Sequence, residues 1–218
     1  MDFVGAYSPE NLGFLMEGLM ITLRVAVISI VFSFAIGLII AVLRYARIPV
    51  LSQLLFLWVE LIRNLPLLLI MFFTFFALPE IIRIDLSAEE AVILALVLFE
   101  SALISEIIRG GLASIPKGQL EAARSSGLGY VQTLRFVVVP QALRRMIPPL
   151  VSQFISLLKD TSLGIIVALD DLMHNGQIIY NHDFGYVFPT LILVATIYFV
   201  INYSLSLLAG RLEKKLSV

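Results

Sequence analysis

No cysteine occurs among the 218 residues, so disulfides, thiol catalysis and cysteine metal ligands are excluded, and cysteine usage leaves the compartment open. Charge is scarce. Only 14% of residues are Asp, Glu, Lys or Arg, about half the share of an ordinary soluble domain, while 60% are hydrophobic and mean hydropathy is +0.99. A soluble globule is excluded. The net charge of −1 leaves no basic footprint for nucleic acid, no Gly-Lys-Ser/Thr phosphate loop is present, and no HExxH-type metal or catalytic constellation appears.

What is there is apolar length. A helix crosses the hydrocarbon core with about 20 apolar residues. Val25 to Leu43 carries no charge, and Phe184 to Gly210 is uncharged before Arg211, Lys214 and Lys215. Three further stretches are long enough but interrupted: Val50 to Leu78 by Glu60, Arg63, Asn64 and Pro66, Ala91 to Ile108 by Glu100 and Glu106, and Met146 to Leu169 by Lys159 and Asp160. The expectation is an all-α membrane protein forming one domain over 1–218, with five spans near 19–43, 50–78, 91–108, 146–169 and 184–210. The acidic start, with Asp2, Glu10 and Glu17, lacks the basic region of a cleaved signal peptide, so the first span is expected to stay as an anchor.

The connecting segments sort by sign. Arg44, Arg47, Arg109, Lys117, Arg124, Arg135, Arg144, Arg145, Arg211, Lys214 and Lys215 fall on one side; the other holds the N-terminal acids, Glu80, Asp85, Glu89, Glu90, Asp170, Asp171 and Asp183, with Arg83 its single cation. The positive-inside rule makes the basic side cytoplasmic, which puts the N-terminus outside, the C-terminus inside and the 109–145 loop in the cytosol. An odd span count excludes a simple inverted duplication.

Charges within spans are costly, about 2.5–3.5 kcal/mol each at the centre, and face a bundle interior or a watery cavity. Counting along each span places Arg63, Asn64, Glu100, Lys159 and Asp160 at similar depth, with Glu60, Arg63 and Asn64 on one helical face. Two readings follow. Either these residues pair with one another to fix packing, as the i, i+3 spacing of Glu106 and Arg109 suggests, or they form a midplane site for a small zwitterion or ion. In the second reading Arg63 or Lys159 meets a carboxylate, and Asp160, Glu100 or Glu60 meets an ammonium. Gly37 and Ala41 have the small-xxx-small spacing of ordinary helix contacts. His174 and His182 are expected as solvated residues of an outer loop.

The 109–145 segment reads as a structured helix, turn, helix: Pro116 in a first turn, a helical run from Gln119 to Ser126, Gly127 as a left-handed C-cap, and a second run from Tyr130 to Val139 ending at Pro140. Glu121, Ala122, Ala123, then Gly127, then Val137, Val139 and Pro140 resemble the EAA loop of ATP-binding-cassette importer permeases, with valines where isoleucine and leucine are usual. Ile115-Pro116-Lys117-Gly118-Gln119, Pro140-Gln141-Ala142, Leu158-Lys159-Asp160-Thr161-Ser162-Leu163 and Arg63-Asn64-Leu65-Pro66 resemble the polar amino acid branch of that family. The likeness runs from the first span to the basic tail.

The resemblance implies a type I importer permease of the prokaryotic cytoplasmic membrane. Two five-span subunits, identical or related, would enclose a pathway, working with a dimeric ATPase that binds ATP and magnesium, an extracytoplasmic substrate-binding protein and membrane lipid. This chain would itself hold no cofactor. Glu121, Ala122, Ala123, Gly127 and Pro140 carry over as coupling positions to the ATPase, the small alanines allowing close approach. Glu60, Arg63, Asn64, Glu100, Lys159, Asp160, Thr161 and Ser162 carry over as candidate pathway residues, used in alternating access. Acidic, amide, basic and sulfur-containing amino acids all remain possible substrates; the lack of an acidic excess at the midplane favours glutamine or glutamate. Rival readings are an ion-gradient-driven secondary transporter or channel, which leaves the EAA pattern unexplained, and an intramembrane enzyme acting on lipids, for which no nucleophile or metal set is found.

Overall fold

The computed structural model describes residues 1–216, with side chains through Arg211, so Lys214 and Lys215 lie outside the described side chains. Among the described residues all regular structure is helical. After a short turn at Phe3–Ala6, helix α1 runs from Pro9 to Tyr45; Ser8 accepts the Asn11 amide at 3.3 Å and Pro9 occupies the first turn, where its missing N–H costs nothing. Helix α2 is Leu51–Arg63 and α3 is Leu67–Ile82. Helix α4, Ala88–Ala113, opens with a capping box in which Ser87 and Glu90 exchange hydrogen bonds of 3.3 and 2.9 Å. Helix α5 is Lys117–Ser125, and α6 is one helical run over Tyr130–Val167 whose last part, Thr161–Val167, tightens to 3-10. Helices α7, Leu172–His182, and α8, Val187–Leu216, complete the chain.

α1, α4, α6 and α8 are each long and apolar enough to cross a bilayer, and the α2–α3 pair makes a fifth crossing if counted as one. Where one span interrupted by Pro66 was expected over 50–78, the chain forms two helices. The helices meet at 100°, because Pro66 forces Leu65 out of the α region and the Asn64 amide caps the Glu60 carbonyl at 2.7 Å. Pro140 likewise fails to end its helix. Five-residue π-turns, Phe73–Ala77 and Leu134–Val138, precede Pro79 and Pro140, so that the last N–H before each proline, Leu78 or Val139, reaches five residues back to Phe73 or Leu134. Widening the turn accommodates the ring that would otherwise collide with the preceding carbonyl.

α4 is the central rod, with most of its apolar stretch buried, whereas α8 is peripheral and mainly exposed. Lipid tails are as apolar as leucine, so helix contacts depend on close packing of small residues rather than on the hydrophobic effect. The Gly37–Ala41 pair behaves as such a contact: a β-carbon on Gly37 would stand 2.8 Å from Ile104 and 2.9 Å from the Ser101 carbonyl, and Ala41 is fully buried between α1 and α4. At one end of the bundle Val25, Met71, Val92, Leu96 and Leu169 form a core; at the other Ala41, Ile104, Ile108, Val138, Ala142 and Met146 join α1, α4 and α6. The 170–183 segment is not the loop expected for His174 and His182. Asp171 caps α7 by accepting the His174 amide at 2.9 Å, the Leu172 amide donates to Thr22 at 3.1 Å, and His174 is half-buried with Nδ1 3.2 Å from Asp170.

Candidate functional site

α5 stands at the end of the bundle where α1 and α4 finish and α6 begins. Leu120 turns inward onto the Ile115, Leu134 and Val138 cluster and Ala123 is buried, while Glu121, Ala122 and Arg124 are exposed. Of the two alanines expected as coupling positions, Ala122 is exposed and Ala123 is buried within the chain, because residues one apart diverge by about 100° on a helix. The helix ends as its sequence foretold. The Gly127 amide donates to Arg124 at 3.0 Å and the Leu128 amide to Ala123 at 3.2 Å, the two bonds of a Schellman motif, with Gly127 at φ +89°. Beyond it the Arg124 guanidinium lies over the Tyr130 ring at 6.0 Å, and Arg145 donates to the Ser114 carbonyl, tying α6 to the α4–α5 turn. Glu121 lines a cleft of about 180 Å³ with Lys117, Arg124 and Tyr130. Pro140 is exposed on α6.

The eight pathway candidates divide into two groups. Glu60 and Arg63, at the end of α2, pair at 3.2 Å, and Arg63 also approaches Glu106 at 3.8 Å. Glu106 further accepts from Arg109 at 2.7 Å and from Arg44, whose side chain is only 7% exposed, so one carboxylate gathers three arginines from α1, α2 and α4. Glu106 and Arg109 therefore pair as their spacing suggested. The Arg63 guanidinium reaches back towards Glu106, six residues and about 9 Å along α4 from Glu100, while the neighbouring Ile62 and Leu65 pack beside Leu96 and Ala102.

The second group lies deeper in the bundle. Glu100 is fully buried and accepts the Gln153 amide at 2.9 Å; its other oxygen has no partner among the described residues. Asp160 is half-buried at the end of the α-helical part of α6. Lys159 is exposed beside it, and the Thr161 and Ser162 hydroxyls turn back to the Leu158 and Lys159 carbonyls at 2.8 and 2.7 Å, where α6 tightens into its 3-10 end. Gln153 and Arg44 were missed by sequence reasoning. An amide within an otherwise apolar stretch of α6 was the available signal for the first; which glutamate Arg44 would meet depends on helix register, which no local pattern encodes. Among the described residues, no group of three or more His, Cys, Asp or Glu is placed to hold a metal.

At the other end of the bundle Asp171 is fully buried, with its carboxyl pushed up from 3.8 to about 7 by that burial, partly opposed by hydrogen bonds from the His174 and Met173 amides and Tyr198. Arg24 and Glu89 form an ion pair at the same end. The bundle thus has a basic end, carrying Arg44, Arg109, Arg124 and Arg145, and an acidic end, carrying Glu89, Asp170 and Asp171.

Residues 33–218 match the family described as "Binding-protein-dependent transport system inner membrane component". The chain is 64% identical over 216 residues, 98% of each chain, to the probable glutamine ABC transporter permease protein GlnP of Bacillus subtilis. It is 34% identical to the glutamate transport system permease protein GluD of Corynebacterium glutamicum, over 93% of this chain and 75% of that one. Among solved structures, a chain of an amino acid ABC transporter with histidines superposes with a TM-score of 0.92 at 29% identity, covering 99% of both. The inward-facing MetNI methionine ABC transporter shares the fold at a TM-score of 0.79 and 23% identity, over 96% of this chain and 99% of its own.

Proposed function

Since the chain belongs to the binding-protein-dependent transport system inner membrane component family, we propose that it is the multi-pass permease subunit of an ABC importer carrying glutamine into a prokaryotic cell. The observation that carries the substrate is the 64% identity, over 98% of both chains, to the probable glutamine permease. ATP and magnesium belong to a separate ATPase pair, a second permease subunit closes the pathway, and an external binding protein delivers the substrate. The basic end of the bundle faces the cytosol.

In this reading α5 is the contact through which the ATPase moves the permease. Its exposed face, with Glu121 and Ala122, meets the motor; its inner face, with Leu120 and Ala123, passes the motion to the foot of α6; Gly127 sets the turn between them. α6 leads from that foot to Gln153 and to Lys159–Ser162. There Lys159 meets the carboxylate of the amino acid and Asp160 its ammonium, while Glu100 holds α4 against α6 through Gln153. Glu60, Arg63 and Asn64 work differently, as part of the lock around Glu106 that joins the helix ends and releases when the pathway changes sides.

The test is uptake by the permease reconstituted with its ATPase and binding protein. Labelled glutamine accumulates only with ATP and magnesium on the ATPase side, and excess unlabelled glutamine abolishes the signal. Uptake by the permease alone under an ion gradient would overturn the assignment in favour of a secondary transporter. Asp160→Asn lowers uptake several-fold while the complex still assembles; unchanged uptake reduces Asp160 to a packing residue.

A further inference from the structure

A cleft of about 480 Å³ opens at the basic end, between the turn joining α1 to α2, the end of α4 and the start of α5. It falls within the size range of small-molecule sites. Arg44, Arg47, Arg109 and Lys117 line it, and no acidic residue does. Glu106, outside the lining, engages Arg44 and Arg109. Arg47 and Lys117 are exposed, and neither forms an ion pair among the described residues. Arg47 sits in a turn where it and Val50 adopt φ of +52° and +66°, a backbone conformation that β-carbons resist and that persists only when the surroundings impose it. The cleft is a cationic site with two charges unspent.

Its walls also carry tyrosine and aliphatic carbon. Tyr45 and Tyr130 contribute rings of the kind that sit at headgroup level. Ile39 and Val42 on α1 and Ala46, which caps its C-terminus in helical conformation, share one face by their i+3 and i+4 spacing. Ala46 lines the cleft, while Ile39 and Val42, 58% and 50% exposed, continue from it as an apolar track along the span. Positive charge at a helix end, continuous with an apolar track, matches a phosphodiester headgroup with its acyl chain. Free phosphate would use the charge and leave the track idle.

We propose that this cleft binds the headgroup of an anionic phospholipid of the cytoplasmic leaflet, held by Arg47 and Lys117 and joining the α1–α2 turn to the start of α5. The inference rests on the orientation proposed above, and goes beyond it in assigning the cleft a ligand. Its place beside α5 makes leaflet charge a condition for stiff transmission between motor and bundle.

The test uses the intact transporter complex, saturated with phosphatidylglycerol or phosphatidylcholine in mixed micelles and examined by native mass spectrometry for retained lipid. Wild type retains phosphatidylglycerol in preference to phosphatidylcholine; the double variant Arg47→Gln, Lys117→Gln loses that preference by about tenfold, and Arg47→Lys, Lys117→Arg keeps it. Millimolar inorganic phosphate leaves retention unchanged if the lipid is the ligand, and displaces the lipid if the site takes any phosphate. Equal retention of both lipids, equal retention by the Gln variant, or displacement by phosphate would each overturn the proposal. A Gln variant that fails to assemble is replaced by Arg47→Gln alone, for which reduced retention supports the site and unchanged retention overturns it. ATP-driven glutamine uptake is measured separately on wild type, so failure of the transport assignment is distinguishable from failure of the lipid site.

Discussion

Gly127 and Asp171 mark opposite ends of the bundle, and each is fixed by one physical requirement. At Gly127 the requirement is backbone handedness. A β-carbon there would meet nothing within 4 Å, so what opposes Gly127→Val is first the left-handed conformation, about 1–2 kcal/mol. The variant therefore reaches the membrane in normal amount while ATP-driven uptake falls several-fold, and Gly127→Asn, which tolerates that conformation better, retains more. Immunoblotting against uptake separates the two effects; wild-type uptake by the valine variant would remove Gly127 from the coupling role. At Asp171 the requirement is a buried carboxyl capping α7. Its folded-state value near 7 lies above the ordinary 3.8, so the folded protein holds the proton more tightly than the unfolded chain does. The resulting stabilisation is complete below about pH 4 and is lost as pH rises to about 7. Asp171→Asn keeps a good N-cap and cannot ionise. It is expected to flatten the decline in thermal midpoint between about pH 4 and pH 7, and a variant as pH-sensitive as wild type would assign the dependence to other groups.

Helix contacts decide the next scale. Gly37 places α1 against α4 so closely that even alanine overlaps Ile104 and the Ser101 carbonyl, whereas Gly13, on the same helix, has nothing within 4 Å. Gly37→Ala is expected to lower the thermal midpoint of the purified complex, with an overpacking cost of about 1–3 kcal/mol, while Gly13→Ala leaves it unchanged or raises it. Equal effects at both positions would show that α1 and α4 separate without penalty. The Gly37–Ala41 contact was legible because lipid forces small residues to wherever helices touch, as α1 and α8 were legible because lipid demands long uncharged runs. The α2–α3 junction was only half legible. Pro66 announces a kink, but the 100° bend also depends on Asn64 capping Glu60 and on what α3 packs against. α7 escaped notice because it is short and polar, and its cap partners, Thr22 and Tyr198, lie far away in sequence. Glu100 was legible as a costly buried charge; its partner Gln153 was not, since register between α4 and α6 is a property of the assembled bundle.

For the whole molecule, the decisive quantity is which way the charged ends point. The absence of native cysteine makes this directly measurable. Ser125, on α5 at the basic end, and Asn181, on α7 at the acidic end, are both exposed. With a membrane-impermeant maleimide on intact cells, Asn181→Cys is expected to label at once and Ser125→Cys only after permeabilisation. The reverse pattern would place α5 outside the cell, out of reach of any ATPase, and the transport mechanism would fall with it.

The π-turn ahead of Pro140 governs azimuth as well as shape. It holds one residue more than an α-turn, and a residue is worth about 100° of rotation about the helix axis. Were the proline replaced and the extra residue reeled in, everything upstream on α6, and α5 with it, would swing round by roughly that angle and present a different flank to the motor. If α5 is the handle proposed above, Pro140 is the index pin that sets which flank it offers.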